Sequence, residues 1–465
     1  MTRAPENLLP GRRPLIVGAG RSGAAAARLL ARHGLDVRLC DRREAAAPLA
    51  AELAALGVDV RLGRDDAGEL EGREFVVWSP GIALDHPIAR AARAAGLQIL
   101  SELEVGCRFA RAPLFCITGT NGKSTTTDLT GALLRAAGIE AAVCGNIGRA
   151  ICDVAESVPA DGALVVEVSS FQLETVERLK PRVAAWLNLT PDHLDRHGTL
   201  EAYAALKQRL FANQDAQDFA VWNADDPAVT AHRAGSAATL EFSRTRAVPA
   251  GAHAAGGAIT LVWRGRSEPL MPAAELRLRG PHNLSNALAA LATALPAEPP
   301  RAALREALRA YRGLEHRLEP VATIEGVEFV NDSKATNLDS MAVALGSFDQ
   351  PVVLIAGGRD KGQDFRAALE LARRRVRHAV LIGEGAERIE RAWPGVPATC
   401  ASSLAEAVDR AFDLARTGSG RPGAAPPVVL LSPGCASFDM FRDFEDRGAR
   451  FKSEVERLRL KESRT

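Results

Sequence analysis

Short apolar runs alternate along the chain with longer segments in which alanine and leucine recur at helical spacing. Over the first hundred residues "PLIVG", "DVRLCD" and "EFVVWSPG" are of the first kind, and "SGAAAARLLARHG", "PLAAELAALG" and "PIARAARAAG" of the second. An apolar run too short for a helix and closed by Gly, Asp or Pro predicts a buried strand, and repeated strand–helix alternation predicts a parallel sheet. The rhythm restarts near Arg111, where "PLFCITG" leads to "ALVVEVSS" and "VAAWLNLT". It restarts again after "YRGLEHRLE", with "VEFVNDS", "PVVLIAGG", "HAVLIG" and "PVVLLSPG". Before that second restart the Ala/Gly-rich "RAVPAGAHAAGGA", from Arg246 to Ala258, predicts a loop between short β-like runs, and "HNLSNALAALATAL" predicts a helix. The pattern therefore predicts an α/β protein of three domains, over residues 1–110, 111–313 and 314–465. No fixed-period repeat is visible, which argues against a solenoid.

Composition agrees and narrows the function. A chain of 465 residues, 47% hydrophobic and 25% charged, buries several cores, about three domains at the usual size. The formal net charge is +1 with no basic block, so the field that would hold nucleic acid or an anionic membrane is absent. Small-molecule chemistry is the expectation. The seven cysteines are scattered without close pairs, which suits a reducing cytosol. No apolar run approaches the roughly 20 residues that span a bilayer, and "MTRAPENLLPGRRP" lacks a signal-peptide core. A soluble cytoplasmic protein is expected. Only seven of the 58 basic residues are lysines, so each lysine invites a question. Lys180, Lys452 and Lys461 read as surface residues, whereas Lys123, Lys207, Lys334 and Lys361 fall inside motifs.

The first motif is "ITGTNGKST". A strand ends at Ile117, a Gly-containing turn follows, and Lys123 and Ser124 open a helix. Gly119 and Gly122 allow close backbone approach, helix-start amides point at anionic oxygens, Lys123 neutralises phosphate charge, and Ser124 can reach Mg²⁺. Position 117 is Ile where the general P-loop pattern has Gly, so the loop is a shortened form. ATP is the expected nucleotide. "VVEVSSFQLE" and "NLTPDHLDRHG" end further parallel strands, and their Glu167 and His193 could complete a hard-metal site begun by Ser124. Each alone is more often structural. Lys207 in "EAYAALKQRLF" sits on a helix where arginine otherwise dominates. An amine there can lose its proton and a guanidinium cannot, although an exposed helical lysine is the equal alternative.

In the C-terminal third, "GLEHRLE" and "VEFVNDSKATN" cluster Arg317, Asp332, Lys334 and Thr336 around a strand end. Asp suits ribose hydroxyls, and Arg and Lys suit γ-phosphate charge, while a polar helix start capped by Ser333 or Asn337 is the plainer reading. Near the N-terminus "VGAGRSG" places Gly18, Gly20 and Gly23 in G-x-G-x-x-G after a strand, with Asp41 ending the next. That is a dinucleotide fingerprint, so an NAD-dependent oxidoreductase is the competing reading.

"GTNGKST" resembles the nucleotide loop of the Mur ligases and the related folylpolyglutamate synthetases, which share its shortened form. The resemblance extends through all three domains. It implies a Rossmann-like parallel sheet first, a P-loop-type ATPase domain second, and a Rossmann-like C-terminal domain that binds the amino-acid acceptor and closes on ATP. It implies an ATP-dependent amide ligase of cytoplasmic peptidoglycan precursor synthesis, adding D-glutamate to UDP-N-acetylmuramoyl-L-alanine through an acyl phosphate, with another ligase of the same kind as the alternative. ATP contacts are implied at Gly119, Thr120, Asn121, Gly122, Lys123, Ser124, Thr125, Asn286, Arg317 and Asp332. Mg²⁺ is implied on Ser124 and Glu167, and a second ion on His193 and a carbamylated Lys207, with Lys334 as a further electrostatic stabiliser. Gly18, Gly20, Ser22, Gly23, Asp41, Arg42, Gly81 in "SPG" and Asn146 in "GNIG" are implied for the UDP substrate. Thr336, Lys361 in "GGRDKGQDF", and Ser437 and Phe444 in "LSPGCASFDMFRDFEDRG" are implied for D-glutamate. A monomer without nucleic-acid or membrane partners is expected. A scaffold without turnover would require the acidic and lysine positions to be degenerate, and they are intact.

Overall fold

The computed structural model describes residues 8–44, 47–360, 362–417 and 427–462. Two compact units account for them. One comprises the chain up to Leu276 together with Ser285–Tyr311, and the other comprises Arg277–Leu284 and the chain from Arg312 onward.

The first unit holds two sheets. Strands β1 (Pro14–Val17), β2 (Arg38–Asp41), β3 (Asp59–Leu62), β4 (Phe75–Trp78) and β5 (Gln98–Ser101) form a parallel sheet in the order β3-β2-β1-β4-β5. Every residue of β1, β2 and β4 is buried, as expected of strands covered on both faces, where apolar residues run on without alternation. The strand order reverses between β1 and β4, and the crevice at such a reversal is where ligands bind in sheets of this kind.

The second sheet has nine strands: β6 (Leu114–Thr118), β7 (Ala141–Gly145), β8 (Ala163–Glu167), β9 (Val183–Trp186), β10 (Phe219–Asn223), β11 (Ala238–Ser243), β12 (Gly251–His253), β13 (Ala258–Trp263) and β14 (Arg266–Pro272). Their order is β14-β13-β12-β11-β10-β9-β6-β8-β7, parallel from β7 to β12 and antiparallel through β13 and β14. This corrects the expectation of a loop over Arg246–Ala258. Gly251–His253 is a strand, and Gly251 makes it possible: its φ of 122° suits glycine, and a Cβ there would overlap the Glu241 carbonyl oxygen.

In the second unit β15 (Glu319–Ile324), β16 (Val327–Asn331), β17 (Val352–Gly357), β18 (Val376–Ile382), β19 (Ala398–Cys400) and β20 (Val428–Leu431) are ordered β15-β16-β20-β17-β18-β19. All neighbours are parallel except the β15–β16 hairpin, whose turn residues Glu325 and Gly326 both have positive φ, the handedness a two-residue hairpin turn needs. Apolar side chains from both faces of this sheet form two buried clusters. Among the described residues no helix is long and apolar enough to cross a membrane.

Candidate active site

The phosphate loop leaves the C-terminal end of β6, which lies between β9 and β8. Gly119 (φ 155°) and Gly122 (φ 83°) make its turns, and Gly122 caps the helix Lys123–Ala136 in a left-handed conformation. That helix buries Thr127 and Thr130 because each hydroxyl donates to a carbonyl one turn back, Lys123 and Thr126 respectively. Asn188, two residues beyond β9, pins the loop. Its Oδ1 accepts from the Thr120 and Asn121 amides at 3.0 and 2.8 Å, and its Nδ2 donates to the Asn121 carbonyl at 2.9 Å. Behind the turn, Asn286 leaves no room for a side chain on Gly122 and accepts from Thr126.

Two lysines meet on this loop. Lys123 Nζ donates to the carbonyls of Gly119 and Thr120, at 2.9 and 2.7 Å. Lys207, near the end of the helix Leu200–Gln208, also donates to the Gly119 carbonyl, at 3.0 Å, with its amine over the Tyr203 ring. Lys207 is 1% exposed. Burial, and then the charge of Lys123, push its pKa well below the ordinary lysine value, against an opposing pull from Asp192.

Acidic and imidazole groups flank the loop from the neighbouring strands. Glu167 ends β8 and is paired in register with Ile117 of β6. It is 3% exposed, its Oε1 accepts from Asn146 Nδ2 at 2.7 Å, and its Oε2 is buried without a hydrogen-bond partner. A buried carboxylate oxygen left unmatched is destabilising unless a cation takes it. With the Ser124 hydroxyl, Glu167 supplies the oxygen donors a hard divalent ion prefers, so these residues fit Mg²⁺. On the β9 side, His193 has φ 54°, a left-handed conformation unusual outside glycine. Its ring packs on Phe171, 4.8 Å between centroids, and it opens the short helix Leu194–His197.

The first glycine loop faces a cavity of about 730 Å³ at the β1/β4 crevice. Gly18, Gly20, Ser22, Asp41, Arg42 and Gly81 line it, together with Arg21 and Arg43. Gly23 lies behind the loop, where a Cβ would overlap the Gly18 carbonyl, so it serves close helix–strand packing. Asp41 Oδ2 accepts from the Ala19 amide at 2.7 Å, and both its oxygens accept from the Arg43 guanidinium. Burial pushes the Asp41 carboxyl up, but the hydrogen bonds from Arg43 and Ala19 outweigh it and hold the group down to about 2. Asn146 does not line this cavity; its amide is engaged by Glu167.

In the second unit, Arg317 stands between two residues with left-handed backbone, His316 (φ 64°) and Leu318 (φ 45°). Asp332 anchors that segment, accepting from the Leu318 amide at 3.2 Å and from Ser432 Oγ at 2.8 Å. Burial raises its pKa to about 7. A ribose-facing Asp332 was the expectation; the observed carboxyl is 7% exposed and each oxygen already accepts a bond from within the unit. Lys334 Nζ lies 3.5 Å from the Phe444 ring centroid. Ser437 is buried and Thr336 half-buried on loops at the same strand ends. Arg447, 0% exposed, donates to Ser333 Oγ, the Ser333 carbonyl and the Cys435 carbonyl at 2.8 to 3.1 Å, tying the segments that carry Lys334 and Ser437. Lys361 lies outside the described residues.

Three family descriptions match consecutive parts of the chain: the MurD-like N-terminal domain of Mur ligases over residues 12–101, the Mur ligase middle domain over 117–294, and the Mur ligase glutamate ligase domain over 316–434. The chain belongs to the Mur ligase family. Among relatives of this ligase, the UDP-N-acetylmuramoylalanine–D-glutamate ligase of Geobacter metallireducens is 42% identical over 97% of this chain and 98% of its own length. The enzyme of the same name from Salinibacter ruber is 44% identical over 96% and 98%. In fold, the ligase is similar to a pseudomurein peptide ligase type C from Methanothermus fervidus (TM-score 0.59, 16% identity, 96% of this chain and 100% of that one). It is also similar to the UDP-N-acetylmuramate-alanine ligase of Thermotoga maritima (TM-score 0.58, 19% identity, 96% and 99%). The oxidoreductase reading of the first glycine loop gives way to membership in a ligase family.

Several residues that shape the loops of this ligase carry no signal in the sequence. Asn188 stood inside "NLTPDHLD" but has no charge or spacing to mark it. Arg43 was hidden beside Arg42, and only the fold shows which of the two pairs with Asp41. Arg447 reads as one more helical arginine until its burial is seen.

Proposed function

We propose that this ligase joins the carboxylate of UDP-N-acetylmuramoyl-L-alanine to the amine of D-glutamate with hydrolysis of ATP to ADP and phosphate. The observation that carries this is the similarity, over nearly the whole of both chains, to ligases named for that reaction. We assign residues 1–110 to the UDP substrate, 111–313 to ATP, and 314–465 to the amino-acid acceptor. The reaction is cytoplasmic, on small molecules, and the working unit is a monomer.

A carboxylate does not yield to an amine, because oxide is an impossible leaving group. Phosphorylation gives an acyl phosphate, whose leaving group is phosphate. The amides at the start of the helix receive phosphate oxygens on a turn that Asn188 pins, and Lys123 neutralises charge on the transferring group. Ser124 and Glu167 hold Mg²⁺, which when bound neutralises and polarises phosphoryl oxygens. Lys207, an amine driven towards neutrality, adds through its nitrogen lone pair to CO₂ and releases one N–H proton, leaving a carbamate anion that, with His193, would hold a second ion. Thr125 and Asn286 support the loop, Arg317 and Lys334 complete the nucleotide contacts, and Asp332 acts by anchoring the segment that carries Arg317. Thr336, Lys361, Ser437 and Phe444 receive D-glutamate. Gly18, Gly20, Ser22, Asp41, Arg42 and Gly81 serve the UDP substrate in the cavity, and Gly23 serves it through the close packing behind their loop.

An ADP-release assay tests this. ADP should appear only when UDP-N-acetylmuramoyl-L-alanine, glutamate and Mg²⁺ are all supplied, with D-glutamate far better than L-glutamate. Equal rates with both enantiomers, or ADP release indifferent to the muramoyl substrate, would overturn the assignment.

A further inference from the structure

The cavity at the first glycine loop and the His193 loop are joined by one guanidinium. Arg196, three residues past His193, pairs with Glu174 through Nε to Oε1 at 3.0 Å and Nη2 to Oε2 at 2.5 Å. Its remaining reach goes to the cavity wall: Nη1 donates to the Pro80 carbonyl at 3.1 Å and Nη2 to the Ile82 carbonyl at 3.2 Å. Pro80, Gly81 and Ile82 all line the cavity. The guanidinium lies 4.5 Å from the centroid of Phe171, the same ring that His193 packs on. Arg196 is 17% exposed and Glu174 12%, so water competes weakly for these bonds, and charge-assisted bidentate pairing fixes direction as well as distance. A second, exposed link runs alongside: Arg21, in the cavity wall, donates to the Gly148 carbonyl at 2.7 Å and the Asn146 carbonyl at 3.3 Å, and Asn146 donates to Glu167.

We propose that Arg196 is a positioning residue that fixes the cavity at the distance from the phosphate loop at which a substrate held by its nucleotide end presents its far carboxylate for phosphorylation. Arg21 is the weaker second strut. This rests on the reading that the cavity receives the nucleotide end. Binding energy from a remote, non-reacting part of a substrate raises turnover only if the protein transmits it as position at the reacting end. Arg196 supplies that rigidity by gripping wall carbonyls and the His193 loop with one planar group. A lysine in its place keeps the charge but cannot span Glu174 and two carbonyls.

The test compares kcat/KM for the full UDP substrate with that for N-acetylmuramoyl-L-alanine lacking uridine diphosphate, in the wild type, Arg196→Lys and Glu174→Gln. The wild type should favour the full substrate by at least about 100-fold. Both variants should shrink that advantage to about 10-fold or less, while their KM for ATP stays within roughly 2-fold of wild type. Turnover of the truncated substrate, which does not use the strut, should fall far less than that of the full one. A wild type with the advantage and variants that retain all of it would overturn the positioning role. A parallel loss on both substrates with a raised KM for ATP would also overturn it, as general damage. A wild type without the advantage would instead overturn the assignment of the cavity on which the inference rests.

Discussion

The two glycine loops of the first unit are built alike and equipped differently. Each follows a strand with parallel neighbours on both sides, β1 or β6, each starts on a glycine with positive φ, and each runs into a helix. Each is also tied down by a side chain from the end of a neighbouring strand: Asp41 grips the Ala19 amide, and Asn188 grips the amides of Thr120 and Asn121. The difference lies in the cations. Arg21, Arg42 and Arg43 line the cavity of the first loop, and guanidinium groups keep their charge at every working pH. Two of the chain's seven lysines meet at the second, on one carbonyl oxygen. Permanent charge suits a loop that only holds a ligand, whereas an amine that can give up its proton suits a loop where chemistry occurs. Loop shape alone does not separate the two roles; the protonation chemistry of the surrounding side chains does.

The comparison breaks most sharply at Lys207. Lys207→Arg keeps the charge, yet it should lower kcat at least about 1,000-fold, because a guanidinium cannot accept CO₂ and places a fixed cation beside Lys123. Lys207→Ala should fail too, but formate or acetate should restore measurable turnover to the Ala variant and none to the Arg variant. A fully active Arg variant would return Lys207 to the status of an ordinary buried lysine. A step down, Asn188→Ala should lower kcat/KM for ATP about 100-fold by releasing the turn that it pins, leaving affinity for the UDP substrate unchanged. Asp41→Ala should do the reverse, raising KM for the UDP substrate about 10-fold with KM for ATP unmoved. If either variant disturbed both ligands equally, the division of labour between the loops would be wrong.

The smallest effect concerns another buried group of the same unit displaced from its ordinary charge. Glu102, at the start of the helix Glu102–Phe109, accepts from the Cys152 amide through Oε1, while Oε2 has no partner, and burial raises its pKa to about 7. Between its ordinary value of 4.5 and 7 the folded protein retains a proton the unfolded chain has released, so this group makes stability fall as pH rises through that window. Glu102→Gln removes the dependence. Its melting temperature should match wild type near pH 4 and exceed it by a few °C at pH 8, for a contribution on the order of 3 kcal/mol. A gap of the same size at both pH values would show that burial does not raise the Glu102 pKa.

Much of this was legible in the chain because parallel α/β folds collect function at strand ends, and strand ends are marked by local pattern. "ITGTNGKST", "VVEVSS" and "NLTPDHLD" each announce a strand closing into a polar loop, which is why Gly119, Lys123, Glu167 and His193 stand out in the sequence. What escaped depends on partners distant in sequence. Strand β12 is three residues inside an Ala/Gly tract and exists because β11 and β13 pair with it. Asn188 matters through amides 67 and 68 positions away, Arg196 through carbonyls 114 and 116 positions away, and Arg447 through the loop at Ser333. The left-handed backbone at Leu318, beside Arg317, has no sequence signature, since leucine does not favour it.

The central claim is that Lys207 is chemically distinct from every other cation near the two loops. It is tested most directly by carbon-13 NMR of the ligase equilibrated with ¹³C-bicarbonate and Mg²⁺. One protein-bound carbamate carbonyl resonance should appear in the wild type, be absent from Lys207→Arg and Lys207→Ala, and be retained in Lys361→Ala. Fully active wild-type enzyme with no such resonance, or a resonance that survives in Lys207→Arg, would contradict it.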